Sequence, residues 1–392
     1  MVERGIDGAT LPPEQRDAAV ADLCDTLAEI DGGGWYPAID VVRPWSEHNP
    51  LITGEFARPH AIRHYLQREL RALLAMGATV TVRPSRRAVA LDDPALLRTL
   101  DEAAWEMRAK KLFLFAPERM ALSMARLEHY TGSAPEAFQR YVLFTNYALH
   151  VEEFRARFPN AVGPPAPVQM PAWHASTADH DGVTIVDIGV GPSNAKTVTD
   201  HLAVLRPDAV LMIGHCGGLR NHQAIGDYVL ATAYLRDDRI LDRALPLTIP
   251  VIPNHLLNRY LLAALDARGT RYRVGTVLTT ANRNWELEID AMSHVLEQSR
   301  AVAVDMESAT IAANGFRYRM PNATLLCVSD KPLHGSPKLA DEARRFYEAS
   351  RSSHVEIALE CIDHVRRNHP AGIPNADLRS PAEPLFGAPS AE

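Results

Sequence analysis

Arg300-Ala-Val-Ala-Val-Asp-Met-Glu-Ser-Ala-Thr-Ile-Ala-Ala-Asn-Gly315, followed after a short gap by Thr324-Leu-Leu-Cys-Val-Ser-Asp-Lys-Pro-Leu-His334, is the stretch on which the reading of this chain turns. Ala301 to Val304 and Thr324 to Val328 have the apolar, β-branched character of buried strands, and Glu307 to Asn314 reads as a helix between them. Asp305, Met306, Glu307, Ser329 and Asp330 then all fall at strand ends, the edge of an α/β sheet where ligands sit. Taken singly, each acid reads equally well as a cap or first-turn carboxylate of the next helix. Two neighbouring buried strands, however, deliver acids to one edge and so to one partly dry pocket.

Working upstream, Val183 to Val190 reads as a strand, Ala195 to Leu205 as a helix and Ala209 to Ile213 as a second buried strand. Further strand-like runs lie at Tyr228 to Tyr234 and Val274 to Thr279, and residues 341 to 367 form a closing helix. This order predicts an α/β fold with a mixed central sheet flanked by helices. Between the first strand and helix lies Gly189-Val-Gly191-Pro-Ser193-Asn194-Ala-Lys196. Backbone N–H groups and the helix dipole converge on an anion at such a place: Gly191 allows close approach, Ser193 or Asn194 caps, and Lys196 adds a point charge. It is not a Walker loop, and Gly-x-Gly without a third glycine is weak evidence for a dinucleotide.

The next strand ends in Gly214-His-Cys-Gly217-Gly-Leu-Arg220, where Arg220 is suited to bidentate pairing with phosphate. His215 reads as a satisfied strand-end histidine, and Cys216 as a small core thiol in a tight loop. In Thr280-Ala-Asn-Arg-Asn-Trp285, Arg283 is a candidate for phosphate contact. Trp285 is a candidate for base stacking and equally a packing residue.

Before this region, Arg58 to Met76 carries apolar residues at helical spacing and is stopped by Gly77, and Thr79 to Val82 alternates as a strand. Residues 93 to 128 and 135 to 157 read as helices, while residues 1 to 50 show little periodicity. Gly163-Pro-Pro-Ala-Pro167 cannot extend a helix or central strand. The expected organisation is therefore a smaller N-terminal α+β domain at 1–163 with a regulatory role, a linker at 164–172, a catalytic domain at 173–368 and a loose Pro-rich tail at 369–392. Arg58, Arg63, Arg68, Arg71, Arg83, Arg86 and Arg87 make the first domain locally basic, which fits either a phosphate-bearing effector or a solvated helix face.

A chain of 392 residues, 46% apolar and 23% charged, is ordinary for a globular protein of two domains. The net charge of −7 gives no general attraction to nucleic acid or anionic membrane. No apolar run approaches the length of a membrane span and no signal-peptide core follows the first residues, so a cytoplasmic protein is expected. Cys24, Cys216, Cys327 and Cys361 show neither disulfide nor zinc spacing; no metal site is expected, and no cofactor is required.

Asp305-Met-Glu-Ser-Ala309 and Val328-Ser-Asp-Lys-Pro332 resemble the ribose-binding and catalytic-acid motifs of the purine nucleoside phosphorylase superfamily. The wider context resembles its AMP nucleosidase branch, through Ile188 to Lys196, Met212 to Arg220, Ala224-Ile-Gly-Asp-Tyr-Val-Leu230 and Thr279 to Leu287. The likeness covers most of residues 170 to 365 and is weaker before them, at Ala57-Arg58-Pro59 and Gly77-Ala-Thr-Val80. It implies a nucleoside phosphorylase-like catalytic domain that hydrolyses AMP to adenine and ribose 5-phosphate. Asp330 would be the general acid toward the purine N7, and Glu307, ionised, would hold the ribose hydroxyls. Asp330 must then be held protonated, with Lys331 pointing away. Met306 would floor the sugar, and Gly217 would border ribose and base. Mg-ATP as an allosteric activator and a homohexamer are implied by resemblance alone. Two alternatives stand beside this reading: a purine nucleoside phosphorylase or hydrolase acting on unphosphorylated nucleosides, and a non-catalytic nucleotide-binding module, which the presence of both acids disfavours.

Overall fold

The computed structural model describes residues 3–45, 50–89, 115–334 and 340–374, with the backbone alone described at 87 and 340–352. The chain divides into two units, the first taking the residues up to Arg126 together with Val204–Arg206 and the second comprising Leu127–Ala203 and Pro207–Asn375. In the first lie β1 (Arg4–Asp7), α1 (Arg16–Gly32), β2 (Trp35–Val42), β3 (Leu51–Glu55), α2 (Arg63–Ala75) and β4 (Thr79–Ala88). The strands pair antiparallel in the order β1-β4-β2-β3. Helices α1 and α2 pack together and α1 lies against β2 and β4, burying Leu23, Leu27, Leu70 and Leu74 with Ile39, Val41, Val80 and Val82. Three of the arginines singled out in this unit are met by acids: Arg63 by Asp25 at 2.8 Å, Arg71 by Asp17 at 2.6 Å and Arg83 by Asp40 at 2.7 Å. Such exposed pairs belong to a solvated, charge-balanced face.

The division falls inside α3 (Pro117–Thr131). The second unit continues with β5 (Tyr141–Thr145), α4 (Ala148–Arg157), β6 (Ala172–Ala175), β7 (Val183–Asp187), α5 (Pro192–Leu202), β8 (Ala209–Gly218), β9 (Tyr228–Arg236) and α6 (His255–Ala267). It ends with β10 (Tyr272–Thr279), α7 (Ile289–Ser299), β11 (Ala303–Asp305), α8 (Ser308–Tyr318), β12 (Asn322–Asp330) and α9 (Ala340–Asn368). The sheet is mixed, as expected, in the order β11-β10-β9-β12-β8-β5-β7-β6, and β11 also pairs antiparallel with β8. Alternate residues of β12 serve opposite faces: Leu325 and Cys327 join the core that includes Leu257, Leu261, Ile357 and Ile362, whereas Leu326 and Val328 join the one with Ala309, Ala312 and Ala313. A strand buried on both faces needs an uninterrupted apolar sequence, which is why these strands are legible.

The structure corrects two expectations. Residues 135–157, expected as one helix of the N-terminal domain, contain at Tyr141–Thr145 a fully buried strand inserted in parallel between β7 and β8. The expected linker at 164–172 also lies inside the second unit: just before the Pro-rich run, Val162 and His174 exchange backbone hydrogen bonds at 3.0 and 2.8 Å, so the run is a loop leading to β6. Prolines only forbid the loop from joining a ladder; they do not make it a domain boundary. Of the expected helix over 93–128, residues 93–114 lie outside the described residues and the helix is present from Pro117; most of the expected tail also lies outside the described residues.

Candidate active site

The pairing of β11 with both β10 and β8 brings the end of β11 to the end of β8, and β12 runs parallel to β8 on its other side. Their carboxyl ends therefore converge. The β12/β8 register shifts between Val328 and Asp330, pairing Val328 with Cys216 and Asp330 with Gly217. Ser329 is thus the extra residue of a bulge, a device that re-aims the side chain that follows. Asp330, 7% exposed, lines a pocket with Glu307, 2% exposed, and with Met306, His215, Tyr147 and Trp285.

The two acids after β11 have different partners. Asp305 is the cap of α8: its Oδ2 accepts from the Ser308 backbone N–H at 3.0 Å and from the Ser308 hydroxyl, and Oδ1 accepts from the Thr279 hydroxyl at 2.5 Å. Glu307 is thereby released from capping. Its Oε1 accepts from the backbone N–H of Gly191 at 2.7 Å and its Oε2 from the Asn146 amide at 3.1 Å. The Gly-rich loop does aim a backbone N–H at an acid, but that acid is the protein's own Glu307. Gly191 sits at φ 114°, a conformation L side chains rarely adopt, so glycine is needed to aim this N–H.

Burial, and then the neighbouring Asp305 carboxylate, push the Glu307 pKa up; burial also raises Asp305, against the donors from Ser308 and Thr279. The expectation of a plainly ionised Glu307 therefore changes: the protein by itself holds this proton more tightly than usual, and ionisation calls for further donors or a cation.

Asp330 accepts from the Ser329 hydroxyl, which also lies 3.3 Å from the Cys216 carbonyl oxygen. Lys331 turns aside, donating to the Asn221 carbonyl at 2.9 Å. Gly217, opposite Asp330, sits in a tight place: a Cβ there would crowd a methyl of Val304 at 3.0 Å. Trp285 lines the pocket and is also packed with Leu219, Leu278 and Leu296. Arg283 also lines the pocket and is exposed.

Ser193, Asn194, Lys196 and Arg220 are not among the pocket-lining residues. Lys196 pairs with Asp200 one turn along α5, and Asp200 also accepts from Asn314 at 2.8 Å and Tyr318 at 3.1 Å, so the ammonium balances a buried acid. Arg220 closes a turn after β8, its backbone N–H donating to the Gln223 side chain at 2.8 Å. The lining residues missed from the sequence include Asn146 and Tyr147, whose signal is the apolar run Tyr141 to Phe144 just before them, and His215, which does sit at a strand end but faces the pocket.

Residues 141–363 match the phosphorylase superfamily. The AMP nucleosidase of Escherichia coli (strain K12) is 41% identical over 88% of this chain and 88% of that one. Among solved structures, the AMP nucleosidase from Bacteroides thetaiotaomicron is 28% identical, with a TM-score of 0.54 over 64% of this chain and 98% of that one. Purine nucleoside phosphorylase from Toxoplasma gondii, 17% identical with a TM-score of 0.52, shares the fold over 62% of this chain and 97% of its own.

Proposed function

The chain belongs to the AMP nucleosidase family of the phosphorylase superfamily, and from that premise we propose that its pocket hydrolyses the N-glycosidic bond of AMP, releasing adenine and ribose 5-phosphate. The observation that carries the reading is the convergence of Glu307 and Asp330 in one pocket walled by Met306 and Trp285. Asp330 gives its proton to N7 of the purine as the C1′–N9 bond breaks and its electron pair passes to the base. A neutral base leaves far more readily than an anion, and general acid catalysis of this kind contributes about 10²- to 10⁴-fold.

The ribose is left with oxocarbenium character, and a water oxygen bonds to C1′ and loses its proton to solvent. Glu307 accepts from the 2′ and 3′ hydroxyls. Those donors, with positive charge growing beside it, favour the ionised carboxylate that burial disfavours. The carboxylate thus becomes most effective as the transition state forms. Trp285 offers a stacking face to the base and Met306 an apolar floor to the sugar.

For the 5′-phosphate the supporting residue is Arg283, the cation that the pocket lining retains of those the sequence offered. Mg-ATP activation, a homohexamer and a cytoplasmic setting belong to the same proposal and rest on the family likeness; in addition, among the described residues no helix is long and apolar enough to cross a membrane. Chromatography of the products from a panel of purine and pyrimidine mononucleotides tests the reading: free adenine from AMP, with the other bases released far more slowly, is expected. Preference for a pyrimidine nucleotide, or release of no base at all, contradicts it.

A further inference from the structure

Beneath the pocket wall, β8, α4 and α9 bring together three histidines that are remote in sequence. His150 and His354 have no exposure and His215 has 6%. The rings of His150 and His215 stack with centroids 5.4 Å apart, and His354 meets them edge-on at 4.9 and 5.1 Å. One ring nitrogen from each lies within 4.8 Å of the other two.

Their hydrogen bonding is incomplete in a specific way. Nδ1 of His150 is engaged with the Thr145 hydroxyl at 2.7 Å, which leaves Nε2 buried without a partner. Both nitrogens of His354 are buried without a partner. A buried polar atom left unmatched carries the full cost of its lost hydration, and three imidazoles are a poor choice for apolar filling. We propose that His150, His215 and His354 form a binding site for one first-row transition-metal ion of the zinc class, set against the pocket wall.

Imidazole nitrogen is the donor that zinc, copper and nickel favour, and three such donors leave a further position for water. Zn–N bonds of about 2.0–2.1 Å at tetrahedral angles set the nitrogens roughly 3.4 Å apart. The widest pair must then close by no more than about 1.4 Å, within reach of small ring rotations. Burial pushes His150 down to about 3, and burial with the two neighbouring imidazoles pushes His354 well below its ordinary value, so both present the neutral form that ligates.

With Nε2 of His150 as ligand, its Nδ1–H donates to the Thr145 hydroxyl oxygen, the support that metal-bound histidines usually have. It also indicates the role of the ion. The Thr145 hydroxyl oxygen accepts from the Tyr147 backbone N–H at 3.2 Å, Tyr147 packs edge-on to His215 at 4.4 Å, and Asn146 between them holds Glu307. A bound ion would fix the wall that positions Glu307. His215 lines the pocket and gives the ion its way in. This departs from the expectation of no metal, which rests on spacing; residues 150, 215 and 354 have no spacing to find.

The full-length protein, stripped with a chelator and dialysed, is titrated with Zn²⁺ and, separately, with Co²⁺. Elemental analysis should give one ion per chain, the cobalt form should show the intense visible absorption of a tetrahedral nitrogen site, and Zn²⁺ should raise Tm. His150→Phe and His354→Phe should each weaken binding at least ~100-fold, and Thr145→Val by ~10- to 100-fold, the usual effect of removing such a support. Circular dichroism checks that each variant folds; if the phenylalanine variants do not, Thr145→Val and the wild-type titration decide. Uptake of neither ion by the wild type, or equal uptake by the wild type and the folded variants, overturns the proposal.

Discussion

Asp305 and Glu307 are two residues apart, and the donors around them set them to different work. Asp305 takes donors from Ser308 and Thr279 and is consumed in holding α8; Glu307 takes donors from Gly191 and Asn146 and lines the pocket. Because the folded pKa of Glu307 is raised, its contribution to stability is full below the unfolded value of about 4.3 and is lost as pH rises through the folded value. Glu307→Gln removes that loss. The stability of the variant relative to wild type should therefore climb as pH rises above about 4.3, by about 1.4 kcal/mol per pH unit until the folded pKa is passed. Paired thermal melts across pH 4 to 9 measure it, and a difference that stays flat over that range would mean Glu307 is not a high-pKa group.

Asp330→Asn keeps shape and loses the proton. It should bind AMP and fold normally yet lose at least about 100-fold in turnover, and near-normal turnover would place the acid elsewhere. At this scale the sequence locates the carboxylates through their strand ends, but not the partners that distinguish them. It also offers Lys196 as a phosphate ligand, because no one-dimensional pattern reveals that Asp200, one turn later, is a buried acid that needs a cation.

At the scale of elements, β7, β8 and β12 are readable because each is largely apolar and buried on both faces. β5 is not, because its five residues are followed at once by a helix and then by a Pro-rich loop that looks like a boundary. The helix α1 does carry a signal within a region of little apparent periodicity: Val20, Leu23, Cys24, Leu27 and Ile30 recur at helical spacing and are all buried. The position of β5 runs against the expected division at 163, which placed the catalytic domain at 173–368. A chain begun at Gln169 loses the strand between β7 and β8 together with Asn146 and Tyr147. It should be insoluble or melt without cooperativity and should cleave no AMP; a soluble, active fragment would contradict the sheet order.

For the whole molecule, a net charge of −7 means that recognition of an anionic nucleotide depends on local cations rather than on a general field. Arg283→Ala should lower kcat/KM for AMP about 10-fold, the lower end for a charge-assisted contact because the residue is exposed, while leaving adenosine nearly unchanged. Equal losses on both substrates would show that Arg283 supports the loop and not the phosphate. The same fold serves nucleosidases and phosphorylases, which differ in whether water or phosphate attacks C1′. The most direct measurement supplies the enzyme with AMP in the absence of phosphate and, in parallel, with adenosine plus phosphate, and identifies the sugar formed. Ribose 5-phosphate from AMP alone, with adenosine plus phosphate reacting about 10-fold or more slowly for want of the 5′-phosphate contact, is the predicted result; ribose 1-phosphate from adenosine, at a rate equal to or above that of AMP cleavage, would contradict it.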